Sequence, residues 1–267
     1  MTDLSHQVKK IIALLVVFAG VLAAQAADTN AVQTTNSVVA SSAATNSFVP
    51  VKKPAWQSQV SAGLTLTRGN SDTVLFASKF QTQKKQPQNE WLFEADATYG
   101  EDNHVLSEEI LHGSGQYNHN VTQRFYGFGN LDAVHDGIQD LAYQVSLSPG
   151  AGYYFIKTLP TSLVGEIGPG IICERRGEDD QTYMSLRLGE HWDQKLNPTA
   201  KLWEKVEVLP EVTKFDNYIV NSQFGVETAL TKKLSLQVTL DDNFVNEPAA
   251  GRKNNDARLI SSIVYKF

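Results

Sequence analysis

From Trp56 to Phe267 the chain repeats one pattern: runs of about ten or more residues alternate in polarity, separated by clusters of Gly, Pro, Asn, Asp and Lys. A period of two puts successive side chains on opposite faces of a β-strand. Twelve such runs can be placed, centred near Val60, Ser78, Ala95, Gly113, Gly129, Leu147, Ile167, Arg187, Val206, Phe224, Val238 and Ile260. In the third, Trp91, Phe93, Ala95, Ala97 and Tyr99 share a face against Glu94, Asp96 and Thr98. In the eleventh, Leu234, Leu236, Val238 and Leu240 oppose Ser235, Gln237, Thr239 and Asp241.

Such alternation fits a soluble sandwich or barrel with its apolar face inside, or a membrane barrel with that face outside. Run length separates them, since a tilted strand needs about 9–11 residues to cross a bilayer and strands of soluble proteins average about 5–6. The runs here match the longer value. Aromatic residues stand towards run ends (Trp56, Trp91 and Tyr99, Tyr153 and Phe155, Trp192, Trp203, Tyr218, Tyr265), where interfacial girdles place them. The reading is therefore all-β, an antiparallel transmembrane β-barrel of about twelve strands. Two stretches fit less well. Gly165, Gly168, Pro169 and Gly170 predict a bulge or sharp bend in the seventh run. In the ninth, Glu204 shares a face with Leu202, Val206 and Val208, so the register there is expected to slip by one residue.

The segment before the barrel reads as an address and a tether. His6 to Lys10 is basic, Ile11 to Ala23 apolar, and Ala24-Gln25-Ala26 fits small-x-small cleavage, which makes residues 1–26 a signal peptide. Residues 27–55 are rich in Ala, Ser, Thr and Asn without a period, as in a flexible low-complexity tether. The barrel then occupies 56–267. Loss of Lys9, Lys10 and Asp3 with the leader moves the net charge from −6 to −7. That acidity leaves nucleic-acid binding without electrostatic support. A mean hydropathy of −0.26 excludes a polytopic helical membrane protein. The only cysteine, Cys173, cannot form an internal disulfide and reads as a small apolar strand residue.

Connections at the tether's end of the barrel run over 84–88, 118–123, 157–160, 195–198 and 231–233. Those opposite, such as 100–107, 135–140, 175–181 and 246–255, are somewhat longer and rich in Asp and Glu. None leaves room for a plug domain.

Gly63-Leu-Thr-Leu-Thr-Arg-Gly69-Asn70-Ser71-Asp-Thr73, Gly150-Ala-Gly-Tyr-Tyr-Phe155 and the closing Asp256-Ala-Arg-Leu-Ile-Ser-Ser-Ile-Val-Tyr-Lys-Phe267 resemble the salt-induced outer-membrane protein family, a β-barrel domain of unknown function. The resemblance spans Trp56 to Phe267. It implies a bacterial outer-membrane location, and in some members expression under salt or alkaline stress. It brings no catalytic residues. Independently of it, Gly69 and Asn70 can take positive φ and, with Ser71, close a hairpin. Leu259, Ile263, Tyr265 and Phe267 on the last strand form a candidate barrel-assembly signal. The expected partners are outer-membrane lipids, with the barrel-assembly machinery and periplasmic chaperones during biogenesis.

Candidate chemistry is sparse. Glu94, Asp96, Arg187, His191, Asp193, Glu227 and Asp241 fall on polar faces and are expected to line the lumen as an ion-pair network. His112 and Ser114, with Glu108 or Glu109 near, form the one arrangement resembling a hydrolase dyad. No Gly-x-Ser-x-Gly elbow accompanies it. The sequence thus predicts a non-enzymatic outer-membrane barrel without cofactor or metal, serving as a narrow pore or an envelope-stress structural protein. The alternatives are an outer-membrane lipid hydrolase and a soluble periplasmic barrel that binds an apolar ligand.

Overall fold

The structure, a computed structural model, describes residues 55–67 and 73–267. Twelve strands follow one another: β1 (Gln57–Thr67), β2 (Thr73–Lys85), β3 (Asn89–Asp102), β4 (Val105–Asn120), β5 (Phe125–Asp136), β6 (Leu141–Lys157), β7 (Thr161–Arg176), β8 (Asp179–Lys195), β9 (Ala200–Pro210), β10 (Tyr218–Ala229), β11 (Leu234–Val245) and β12 (Asn255–Lys266). Each pairs antiparallel with its sequence neighbours, and β1 pairs with β12 to close the barrel. Strands of 11–17 residues exceed a bilayer's need, so the hairpins rise past the apolar band.

Both chain ends of the barrel lie at one rim, called terminal here; the other is the distal rim. Turns at the terminal rim are capped by side chains. Thr122 Oγ1 accepts from the backbone N–H of Phe125 at 2.9 Å, Asn197 Oδ1 from Ala200 at 2.8 Å, and Thr231 Oγ1 from Leu234 at 3.0 Å. At the distal rim, Asn103 (φ 49°) and His104 (φ 64°) are both left-handed, as a two-residue type I′ hairpin requires. Residues 1–54 and 68–72 lie outside the described residues, and with them the expected signal peptide, nearly all of the tether, and the expected hairpin residues Gly69, Asn70 and Ser71.

Alternation sorts the side chains into two faces. Phe76, Phe93, Leu111, Leu131, Leu147, Ile167 and Met184 point outward and are exposed. The inward face carries Lys79, Glu94, Asp96, His112, Arg187 and Asp241. This is the reverse of a soluble barrel, because apolar surface on that scale is unfavourable in water. Trp203, expected in the girdle, instead faces the lumen over Gly225. Two apolar clusters also sit inside. Tyr126, Phe128 and Val164, with Tyr154 against them, fill part of the lumen towards the terminal rim. Ile172, Leu209, Ile219 and Val245, with Tyr183, do so towards the distal rim. Glycines on β6 make room for the first cluster: a Cβ on Gly150 or Gly152 would come within 2.5 Å of the Phe128 or Tyr126 ring atoms.

Two local expectations are corrected. β7 runs unbroken from Thr161 to Arg176 and keeps a regular register with β8 through Gly168, Pro169 and Gly170. The irregularity falls instead on its pairing with β6. That ladder lapses between Leu147↔Ile171 and Ala151↔Ile167, where Pro149 meets Pro169 and neither has an N–H to donate. Register shifts flank the gap at Leu141/Tyr143 and Tyr154/Ile156. The ninth strand does not slip either. Glu204 aligns with Trp192 on one side and Phe224 on the other, so its carboxylate stays on the outward face. A slip would have turned Leu202, Val206 and Val208 into the charged lumen, a larger loss than one carboxylate near a rim.

Candidate functional site: a charged chamber in the lumen

Midway along the barrel, inward positions of neighbouring strands converge. Lys79 of β2 bonds Glu94 of β3 at 2.5 Å, and Glu94 also accepts from Gln81 at 2.6 Å. Next to them Asp96 of β3, His112 of β4 and Asp132 of β5 form a row. His112 Nδ1 lies 2.8 Å from Asp96 Oδ1, and Nε2 lies 2.7 Å from Asp132 Oδ2. Both ring nitrogens face carboxylate oxygens, an arrangement that the doubly protonated ring satisfies with two N–H donors. Across the lumen, Gln223 donates to Asp241 at 2.5 Å, and Lys205 projects inward with no carboxylate in ion-pair contact among the described residues.

These groups line a cavity of about 240 Å³, held between two belts of side chains that cross the lumen. Glu166 of β7 is the hub of the belt nearer the terminal rim. It accepts from Gln116 of β4 at 2.8 Å, from the Tyr126 hydroxyl of β5 at 2.6 Å, and from Arg187 of β8 at 2.7 Å. Arg187 also reaches Glu207 at 2.5 Å and lies 5.0 Å over the Phe128 ring. The distal belt has two chords. Arg258 of β12 pairs with Glu108 of β4 at 3.3 Å. The β5–β6 turn folds inward so that Gln139, 5% exposed, donates to Asn243 of β11 and Asp256 of β12, each at 2.8 Å. That turn is held by its own cap, Asp136 Oδ1 accepting from the N–H groups of Ile138 and Gln139 at 3.0 and 2.9 Å.

The residues singled out by sequence take these places. Glu94, Asp96 and Asp241 line the chamber and Arg187 belongs to the belt below it. His191 and Asp193, 3.0 Å apart, lie nearer the terminal rim and are half-exposed. Glu227 is buried there between Lys201, at 2.9 Å, and Lys266. Leu259, Ile263 and Tyr265 share the outward face of β12, and Phe267 donates its backbone N–H to Ser58 at 3.0 Å. Asp132, Glu166, Arg258 and Gln139 escaped sequence reasoning, and Glu108 was named there only beside His112 and Ser114; parity within each run marks all but Gln139 as inward, but nothing local pairs them.

Two arrangements with the look of catalytic or metal-binding chemistry are tied up by their neighbours. His112 does not engage Ser114, since both its nitrogens are taken by aspartates. Glu94, Asp96 and His112 bring ligand atoms within 4.8 Å of one another, a spacing that could hold a metal ion. Those atoms are already committed to Lys79, to each other and to Asp132, so an ion would have to displace several charge-assisted bonds. Beyond the strands, Lys214 donates to Glu247 at 2.5 Å and is raised above the usual lysine range by that contact. Glu211 is lowered, its carboxylate accepting from Thr213 and Asn217.

The family of proteins of unknown function DUF481 matches residues 60–267. No curated protein matches the chain. Among solved structures, the NanC porin superposes with a TM-score of 0.50 at 7% identity, covering 79% of this chain and 98% of that one. An outer-membrane channel from Pseudomonas putida F1 gives a TM-score of 0.47 at 11% identity, covering 85% and 100%. At 7% identity the barrel fold is what is shared with the porin.

Proposed function

We propose that this chain, which belongs to the DUF481 family, is an integral protein of the bacterial outer membrane whose lumen is a narrow conduit, closed at rest by the two side-chain belts. The observation that carries this reading is the charged chamber between them. A barrel needed only as a wall could fill its lumen with apolar side chains, whereas this one keeps a polar space whose closures are hydrogen bonds and ion pairs. The outward apolar face supports a membrane setting, and the polar, charged lumen lining tells against a soluble barrel that carries an apolar ligand.

Planar-bilayer recordings of refolded protein, over a range of salt and pH, test the conduit. Conductance steps are expected; their absence in both the native chain and a Gln139→Ala variant would leave a structural barrel. The reading also holds that the barrel acts without catalysis, supported by the engagement of His112 away from Ser114. Fatty-acid release from phospholipid that vanishes in His112→Ala would overturn that part. A role in envelope stress is the finest element, supported by the resemblance to salt-induced members. Immunoblots across salt and pH shifts test it, and constant abundance would count against it.

A further inference from the structure

The two rims differ in charge in a way that the conduit does not need. Each of the five turns at the terminal rim carries a basic side chain within it or at its shoulder: Lys84, Arg124, Lys157, Lys195, and the pair Lys232 and Lys233. The turns themselves, 86–88, 121–124, 158–160, 196–199 and 230–233, contain no acid. The distal connections hold Asp140, Glu178, Glu211, Asp216 and Glu247 against Lys214, Arg252 and Lys253, and Lys214 is paired with Glu247.

Ion pairs at the terminal rim use lysines that point inward: Lys85 with Glu90, and Lys201 and Lys266 with Glu227. Lys84 and Lys233, which reach outward-facing rings, and the exposed turn residue Lys232 have no carboxylate partner among the described residues. Two of them lie against the aromatic girdle instead. Lys84 Nζ stands 5.7 Å from the centre of the Trp56 ring, and Lys233 Nζ 5.8 Å from that of Tyr265. A lysine stem laid along an interfacial ring carries its ammonium to the plane of the headgroups.

We propose that the terminal rim is a docking ring for anionic phospholipid headgroups, which gathers such lipids from the leaflet it occupies. The inference rests on the membrane-spanning reading above. Unpaired lysines and a girdle at one depth supply the two parts of an anionic-lipid site, charge for the phosphate and apolar ring surface for the glycerol and upper chain. The distal connections carry more acids than bases, so the preference belongs to the terminal rim.

The test uses the full barrel refolded into vesicles. Two tryptophans, Trp56 and Trp91, stand outward and exposed near the terminal rim, whereas Trp192 is buried and Trp203 faces the lumen. Fluorescence that lipid can quench therefore samples this rim. Quenching is compared between vesicles in which only phosphatidylglycerol carries brominated chains and vesicles in which only phosphatidylcholine does. Phosphatidylglycerol should be enriched about fivefold over its mole fraction, the factor given by one lysine at an anionic surface. The enrichment should fall towards unity in 0.5 M NaCl, where the screening length is about 4 Å, and in Lys84→Gln/Lys232→Gln/Lys233→Gln. Equal quenching by the two lipids at low salt overturns the ring, as does enrichment that survives high salt; the salt series on the native chain decides even if the triple variant fails to refold. Absence of quenching by either lipid would instead refute the membrane-spanning reading itself.

Discussion

Replacing Arg187 with methionine tests whether the belt nearer the terminal rim is an electrostatic unit or incidental packing. Methionine retains the length of the stem and much of the contact with Phe128, so the perturbation is mainly the loss of one positive charge. The Arg187 side chain is 6% exposed, and its partners Glu166 and Glu207 are 12% and 18% exposed. Without it two carboxylates remain in a space with restricted water. Glu166 keeps its bonds from Gln116 and Tyr126, and Glu207 keeps a weaker one from Asn221 at 3.4 Å. Breaking a buried pair on one side costs about 3–5 kcal/mol, and the surviving donors place this case towards about 3 kcal/mol. The triple change Arg187→Met/Glu166→Gln/Glu207→Gln removes the unpaired charges and should recover most of that loss. Urea unfolding of the barrel in vesicles, followed by tryptophan fluorescence and by the shift in gel mobility on heating, measures both. A loss below about 1 kcal/mol in the single variant, or a triple variant no more stable than the single one, would refute the reasoning.

Three further outcomes are expected. Gln139→Ala removes hydrogen bonds to Asn243, Asp256 and Arg176; at about 1 kcal/mol each, the distal mouth should open on the order of a hundredfold more often, read as open probability in single-channel records. Gly63→Ala places a Cβ 2.5 Å from the Ser261 carbonyl oxygen across the β1–β12 seam, so the yield of folded barrel on semi-native gels should drop while its lumen pairs stay intact. Ser148→Ala should leave stability unchanged or raise it by up to about 1 kcal/mol, because the Ser148 hydroxyl is fully buried without a hydrogen-bond partner; a loss of that size in urea titrations would contradict this.

The strands are readable in the sequence because their signal is local. Trp91, Phe93, Ala95, Ala97 and Tyr99 define one face from alternate residues of one short run, and most of the other runs do the same. The register of β9 misleads because Glu204, weighed alone, points to a slip, whereas three apolar neighbours fix the strand jointly. The chamber is legible only as a parity. His112 can be placed on an inward face and beside Ser114, but its partners Asp96 and Asp132 come from strands whose offsets depend on turns on either side. The chords are further out of reach. Glu108 and Arg258 are separated by 150 residues and Gln139 and Asp256 by 117, so their meeting depends on closure of the whole ring. Gln139 is hidden for another reason: it sits in a turn, where no strand parity says which way a side chain faces.

The seam between β1 and β12 has a mechanical meaning. Its register holds only four pairs, Gln59↔Lys266 to Ala62↔Ile263, whereas β1 meets β2 through eleven and β12 meets β11 through eleven. A hoop carries the same circumferential tension at every joint, so it yields at the joint with the fewest bonds. Here that joint is stapled beside the terminal rim and slack towards the distal one. Under load the wall would part like a zip from the distal edge downward, with Phe267 and Ser58 at the last tooth to let go.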